Sequence, residues 1–369
     1  MSAAGEHPGP ARVKRLHERL GEQGLDALLV EAPFDLRYLT GFTGSNGLAL
    51  VRAGGAQQLF FTDFRYDSQS REQLPPCFER HIAPGDLLEA AAATLGAEGG
   101  RVGFEETKLT VARHRRLLEH LPGGWELVSA TGIVEGLRLV KEPGEVDLIR
   151  AASELADAAL KRVLEGGLRG RSEREVAIDL ELGMRRLGAE APSFPSIVAS
   201  GARGALPHAS PTSQEIPADV LVTIDWGAQL DGYCSDCTRT YATGEAVSAR
   251  AREVYELVLA AQETGLRAVQ AGPNGREVDA IARAVIDAAG EGEHFGHGLG
   301  HGVGLEVHEG PRLSKTAGDE PLRAGNVVTV EPGVYLPGEL GVRIEDLVVV
   351  GDGAQEVLTK LSKELTVIS

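Results

Sequence analysis

The chain has 369 residues, of which 42% are hydrophobic and 25% charged, an ordinary globular composition that excludes a fibrous repeat or wholesale disorder. Its 37 lysines and arginines against 54 aspartates and glutamates leave a net charge of −17, which repels phosphate backbones and anionic lipid and argues against nucleic-acid and membrane partners. Three cysteines are too few for a disulfide framework, no apolar run approaches the ~18 residues of a membrane span, and MSAAGEHPGPARVKRLHERL lacks a signal-peptide core, so a cytoplasmic protein is expected.

At about twice the ~150-residue modal domain, the length calls for two domains. The first 130 or so residues alternate short apolar runs with amphipathic stretches. They predict a helix over 12–22, strands over 26–30, 47–51, 58–62, 101–104 and 126–128, and helices over 86–95 and 111–120, which is an α/β pattern with no cluster of ligand-type residues. A polar passage punctuated by Gly and Pro over 130–144 marks the boundary, giving domains over 10–132 and 140–369.

The second part changes pattern. Helices are predicted over 145–165 and 173–187, the latter opening on Ser172 and Glu175 at capping-box spacing and stopping at Gly188. A strand pair follows, then helices over 249–270 and 276–289, stopped by Gly272-Pro273 and Gly290, and a second strand pair. The strand sequences VTIDWG and VTVEPG resemble each other, and each leads through a glycine-bearing turn to a strand with another acid. Repetition of the helix-helix-hairpin order points to duplication, and so to an α+β domain with pseudo-two-fold symmetry whose sheet is enclosed by helices.

The hairpin geometry follows from the turns. Asp231-Gly232 is a two-residue turn signal that pairs Asp225 with Thr238 and puts Asp236 on the same face as Asp225, one diagonal step away. Diagonal neighbours lie ~7–8 Å apart at the backbone, a span that lets two carboxylates bridge metals spaced ~3.5–4 Å. In the second hairpin an odd loop centred on Gly338 sets Glu331 opposite Glu345. These acids follow apolar runs, where an unpaired buried charge costs several kcal/mol. They need a cation, either a metal or one of the arginines Arg239 and Arg343.

Histidines favour the metal. Four of the ten fall in HFGHGLGHGVGLEVH, at 294, 297, 301 and 308, and the glycines around His301 would let backbone and ring approach a ligand closely. An oxygen-rich shell with one imidazole suits Mn²⁺ or Co²⁺ and tolerates Zn²⁺ or Fe²⁺. The glycine run matches neither a dinucleotide nor a Walker pattern, and Cys234 and Cys237, at odd spacing on a strand, point to opposite faces and read as packing residues.

The ordered set ALPHAS, VTIDWGA, YCSDCTRTY, HGLGHGVGLEVHE, TVEPGVY and GVRIED closely resembles the "pita-bread" metallopeptidases, in particular the Xaa-Pro dipeptidases (prolidases) and Xaa-Pro aminopeptidases. RYLTGFTGSNG with TDFRY is similar to the creatinase-type N-terminal domain, so nearly the whole chain is covered. The resemblance implies two divalent metal ions, Mn²⁺ with Co²⁺ or Zn²⁺ as alternatives, held by Asp225, Asp236, His301, Glu331 and Glu345. It also implies substrate-orienting roles for His208, His297 and His308, with Arg343 supporting the ligand shell. The implied reaction is hydrolysis of the Xaa-Pro bond by a metal-bridging hydroxide, with Glu331 handling the proton. Trp226, beside a ligand, is read as a packing residue.

Two substrate ranges follow: Xaa-Pro dipeptides, or longer peptides from which an aminopeptidase releases the first residue. Arg312, after the turn at Gly310-Pro311, is the candidate for capturing the free carboxylate of a dipeptide. A creatinase-type amidinohydrolase is disfavoured because that branch lacks the carboxylate set, and a non-catalytic peptide-binding module is disfavoured by the intact ligands. The family's habit implies a homodimer, with 35–42 as the segment bordering a partner's active site.

Overall fold

The computed structural model describes residues 7–55 and 57–369, which divide into two compact units between Arg138 and Leu139. The first runs α1 (Gly9–Gln23), β1 (Ala27–Val30), α2 (Pro33–Thr40), β2 (Gly47–Arg52), β3 (Gln58–Thr62), α3 (Asp67–Gln73), β4 (Phe78–Ile82), α4 (Leu87–Ala92), β5 (Gly100–Phe104), α5 (Val111–His120), β6 (Trp125–Ser129) and α6 (Ile133–Arg138). Its six strands form one mixed sheet in the order β4-β3-β2-β1-β5-β6. Strand β1, with every residue apolar, is buried throughout because it lies centrally, antiparallel to β2 and parallel to β5. Helix α1 buries the stripe Val13, Leu16 and Leu20 and ends at Gly24, whose φ of 61° suits glycine.

Helices α2, α3 and α6 and strand β4 occupy stretches in which periodicity alone predicts no element. Each is too short to show a repeat, and elements of that length are held by tertiary packing. The supposed linker over 130–144 therefore contains α6, which buries Ile133 and Val134. Most of segment 35–42 is helix α2, and most of its side chains are buried. Asp35 pairs with Arg138 at 2.7 Å, Tyr38 and Phe42 are buried, and the Phe42 ring meets Phe60 edge-on at 4.9 Å.

The second unit runs α7 (Pro143–Glu165), α8 (Glu173–Leu187), β7 (Ala191–Pro192), β8 (Ile197–Ser200), β9 (Leu221–Trp226), β10 (Ala228–Leu230), β11 (Tyr233–Cys234), β12 (Cys237–Ala242), α9 (Ala249–Ala268) and α10 (Gly275–Ala288). It continues with β13 (Gly300–Gly302), β14 (Glu309–Leu313), β15 (Val327–Val330), β16 (Gly333–Leu336), β17 (Leu340–Arg343), β18 (Asp346–Val349) and β19 (Glu356–Val357). The Ser172–Glu175 capping box opens α8, and Asn274 with Glu277 makes the same device on α10. Two apolar cores reflect the duplication. One packs Leu160 of α7 and Met184 of α8 against Ile224 and Trp226 of β9; the other packs Val258 of α9 and Ala282 of α10 against Val330 of β15 and Val348 of β18.

Both hairpin registers follow their turns. Strand β9 pairs antiparallel with β12, setting Asp225 opposite Thr238. Val330–Asp346 and Gly333–Arg343 bracket the second hairpin, so Glu331 stands across from Glu345. Among the described residues, no helix is long and apolar enough to cross a membrane.

Candidate metal centre

Five loop-and-strand positions converge on one point. Asp225 lies near the end of β9, Asp236 in the step between β11 and β12, His301 in β13, Glu331 just after β15, and Glu345 between β17 and β18. Asp225, Asp236 and Glu345 each offer an oxygen within 4.8 Å of the others. His301 Nε2 stands 3.3 Å from Glu331 Oε1 and 3.6 Å from Asp236 Oδ2, which joins the histidine and the fourth acid to the cluster.

The glycines beside His301 are required by close backbone crossings. A Cβ on Gly300 would lie 2.0 Å from the Thr329 carbonyl oxygen, and one on Gly302 would lie 1.9 Å from that of Gly310. They seat β13 between β14 and β15.

The arginine alternative accounts for little of the acidity. Arg239 is drawn away to Asp346 at 2.7 Å, and Arg343 reaches one acid, donating from Nη2 to Asp225 Oδ2 at 2.7 Å. Thr238 Oγ1 donates to Glu345 Oε2 at 2.7 Å. Asp225 Oδ1 and Glu345 Oε1 are buried without a hydrogen-bond partner. Burial, together with the neighbouring acids, pushes the Asp236 and Glu345 carboxyls well above the usual range, and burial raises Asp225 against the pull of Arg343. Glu331 goes the other way: against burial, its hydrogen bond to His301 holds it down to about 2. His301 is raised despite burial, chiefly by Glu331. Orphaned buried oxygens, four acids against one arginine and an adjoining imidazole form a donor set that divalent cations fit.

This cluster lies on the wall of a cavity of about 700 Å³, which His208, His297, His308, Arg312 and Arg343 also line. His208, His308 and Arg312 are exposed, and the His308 ring lies 4.3 Å from that of His301. Burial lowers the His297 and His308 pKa values. Trp226 is absent from the lining and fully buried in the core, and Cys234 and Cys237 are buried.

Sequence reading missed Tyr335, whose hydroxyl lies 2.9 Å from both His297 Nε2 and Arg343 Nη1 and so links the histidine to the acid cluster. It stands in TVEPGVY, on the same hairpin as Glu331, but an uncharged side chain gives no pairing demand. Thr238 was missed as a donor to Glu345, and so was the apolar wall of Phe194, Pro195 and Ile197.

Comparison with known proteins adds a family. Residues 12–140 match the creatinase/prolidase N-terminal domain and residues 147–352 match metallopeptidase family M24. The chain is 35% identical to the Xaa-Pro dipeptidase of Pyrococcus furiosus, over 96% of this chain and 99% of that one. Among solved structures, an Xaa-Pro dipeptidase from Bacillus anthracis superposes with a TM-score of 0.93 at 40% identity, covering 97% of this chain and 99% of that one. An X-Pro aminopeptidase from Thermotoga maritima gives 0.86 at 36% identity, covering 95% and 100%. With both of its domains matched and its acid cluster lining a cavity, the chain belongs to metallopeptidase family M24.

Proposed function

We propose that this protein is an Xaa-Pro dipeptidase that hydrolyses the imide bond preceding proline, with Asp225, Asp236, His301, Glu331 and Glu345 holding two divalent ions. The observation that carries the reading is the buried cluster with its orphaned oxygens at the wall of a cavity large enough for a peptide. Mn²⁺ is the ion proposed, with Co²⁺ or Zn²⁺ as alternatives, because the donor set is rich in oxygen with one imidazole. Such ions lower the pKa of water and polarise the scissile carbonyl, replacing a protein nucleophile. Glu331, ionised through His301, is placed to accept the proton of the attacking water, and His208, His297 and His308 orient the substrate. Arg343 holds Asp225 and, through Tyr335, His297. Proline calls for such a site because its tertiary amide offers no N–H to the hydrogen bonds that position ordinary substrates.

Arg312, exposed at the cavity wall, is proposed to capture the free carboxylate of a dipeptide. The openness that leaves Arg312 in solvent also favours a second reading, an Xaa-Pro aminopeptidase acting on longer peptides. Rates of cleavage of Ala-Pro and Ala-Pro-Ala separate the two: the dipeptide is expected to be much the faster, and faster release of alanine from the tripeptide overturns the dipeptidase assignment. We further propose a cytoplasmic homodimer; a content of three cysteines suits a reducing compartment.

A further inference from the structure

We propose that Asp279 and Arg283 of α10 are positioning residues for substrate capture: as one buried clamp they fix the glycine-flanked segment that carries His297. The proposal rests on the reading that His297 touches substrate. Neither clamp residue lines the cavity, so both act through the backbone they hold.

The clamp is a closed set of bonds. Arg283 donates from Nε to Asp279 Oδ2 and from Nη2 to Asp279 Oδ1, both at 2.8 Å. The same guanidinium donates from Nη1 to the Phe295 carbonyl at 2.8 Å and from Nη2 to the His297 carbonyl at 2.7 Å. Its plane lies 4.0 Å over the Phe295 ring. Asp279 Oδ1 in turn accepts from the Leu299 amide at 2.9 Å. Three alternate residues, Phe295, His297 and Leu299, are thus tied to one turn of α10, and the residues between them are Gly296 and Gly298. The tie also extends inward, because the Glu331 amide donates to the Leu299 carbonyl at 2.8 Å.

A role confined to stabilising α10 does not account for this arrangement. An Asp–Arg pair four residues apart supports a helix from the surface, where both groups stay hydrated. Here Asp279 is 0% and Arg283 5% exposed, and a buried pair of this kind is poor at adding net stability. What it supplies is direction: a planar fork meets two carbonyls and a carboxylate at once, and glycine on both sides of His297 leaves that segment without stiffness of its own. The imidazole is then delivered to Tyr335, and so to Arg343, without having to be ordered when substrate arrives.

Arg283→Lys tests this, since an ammonium can keep the pair with Asp279 but cannot span both carbonyls. Steady-state kinetics on Ala-Pro are measured with thermal midpoint and bound metal, beside His297→Ala and the double variant. The expected result is a KM raised about tenfold with kcat within about threefold, metal content unchanged, and no further rise in KM when Arg283→Lys is added to His297→Ala. If KM stays at the wild-type value while kcat falls with the folded fraction, or if the two KM effects multiply in the double variant, the clamp is merely structural and the proposal fails with the dipeptidase reading intact. An unchanged KM in His297→Ala removes the substrate contact itself and overturns the proposal at its foundation. Should Arg283→Lys not fold, Asp279→Asn, which keeps an acceptor for Leu299, is judged by the same criteria.

Discussion

Glu331 is the residue on which the chemistry turns, because it is the one acid of the cluster whose pKa is lowered rather than raised: against burial, its bond to His301 holds it down to about 2. Glu331→Gln keeps its shape and removes the charge, so kcat should fall by about 10²–10⁴-fold or more while the far-ultraviolet circular dichroism is unchanged. The other acids make a prediction about stability without metal. Asp225, Asp236 and Glu345 have folded pKa values raised above their ordinary ones, so folding carries a growing penalty as pH rises past about 4. His301, raised above 6.5, adds a stabilisation that is complete below that pH and is lost as pH rises through its folded value; the contribution of Glu331 is fully present above 4.5. As pH rises above about 4.5 and through the folded values of these groups, the thermal midpoint of metal-stripped protein should fall, and the gain on adding Mn²⁺ should widen. A gap that narrows with rising pH would contradict the assignment of these acids.

At the scale of elements, Ser172→Ala removes the cap that accepts the Glu175 amide at the start of α8 and should cost about 1 kcal/mol in denaturant unfolding. Breaking the pair between Arg239 and Asp346 is costlier, because both side chains are buried: Arg239→Met should lose about 3–5 kcal/mol. The hairpins were legible in the sequence because a turn fixes register, and register with alternation fixes which acids share a face; Asp225 against Thr238 needed only Asp231-Gly232. Helix α2 was not legible. Its eight residues are held by contacts distant in sequence, such as Asp35 to Arg138, which no local period announces. Tyr335 escaped for a related reason: a phenol's place is decided by the partners the fold brings to it, here His297 and Arg343.

The whole molecule joins an α/β unit without a metal-type cluster among its described residues to a duplicated unit that carries the cluster at the meeting of its two hairpins. A homodimer is expected in sedimentation at assay concentration, and a fully active monomer would contradict it. Activity toward Xaa-Pro dipeptides is expected to depend on metal held by the five converging side chains. This dependence is tested most directly by titrating chelated, metal-free protein with Mn²⁺ while following proline release from Ala-Pro. No turnover is expected at the start, followed by a rise that saturates at about two ions per chain; full hydrolysis by verified metal-free protein, or none at saturating metal, would rule out this dependence.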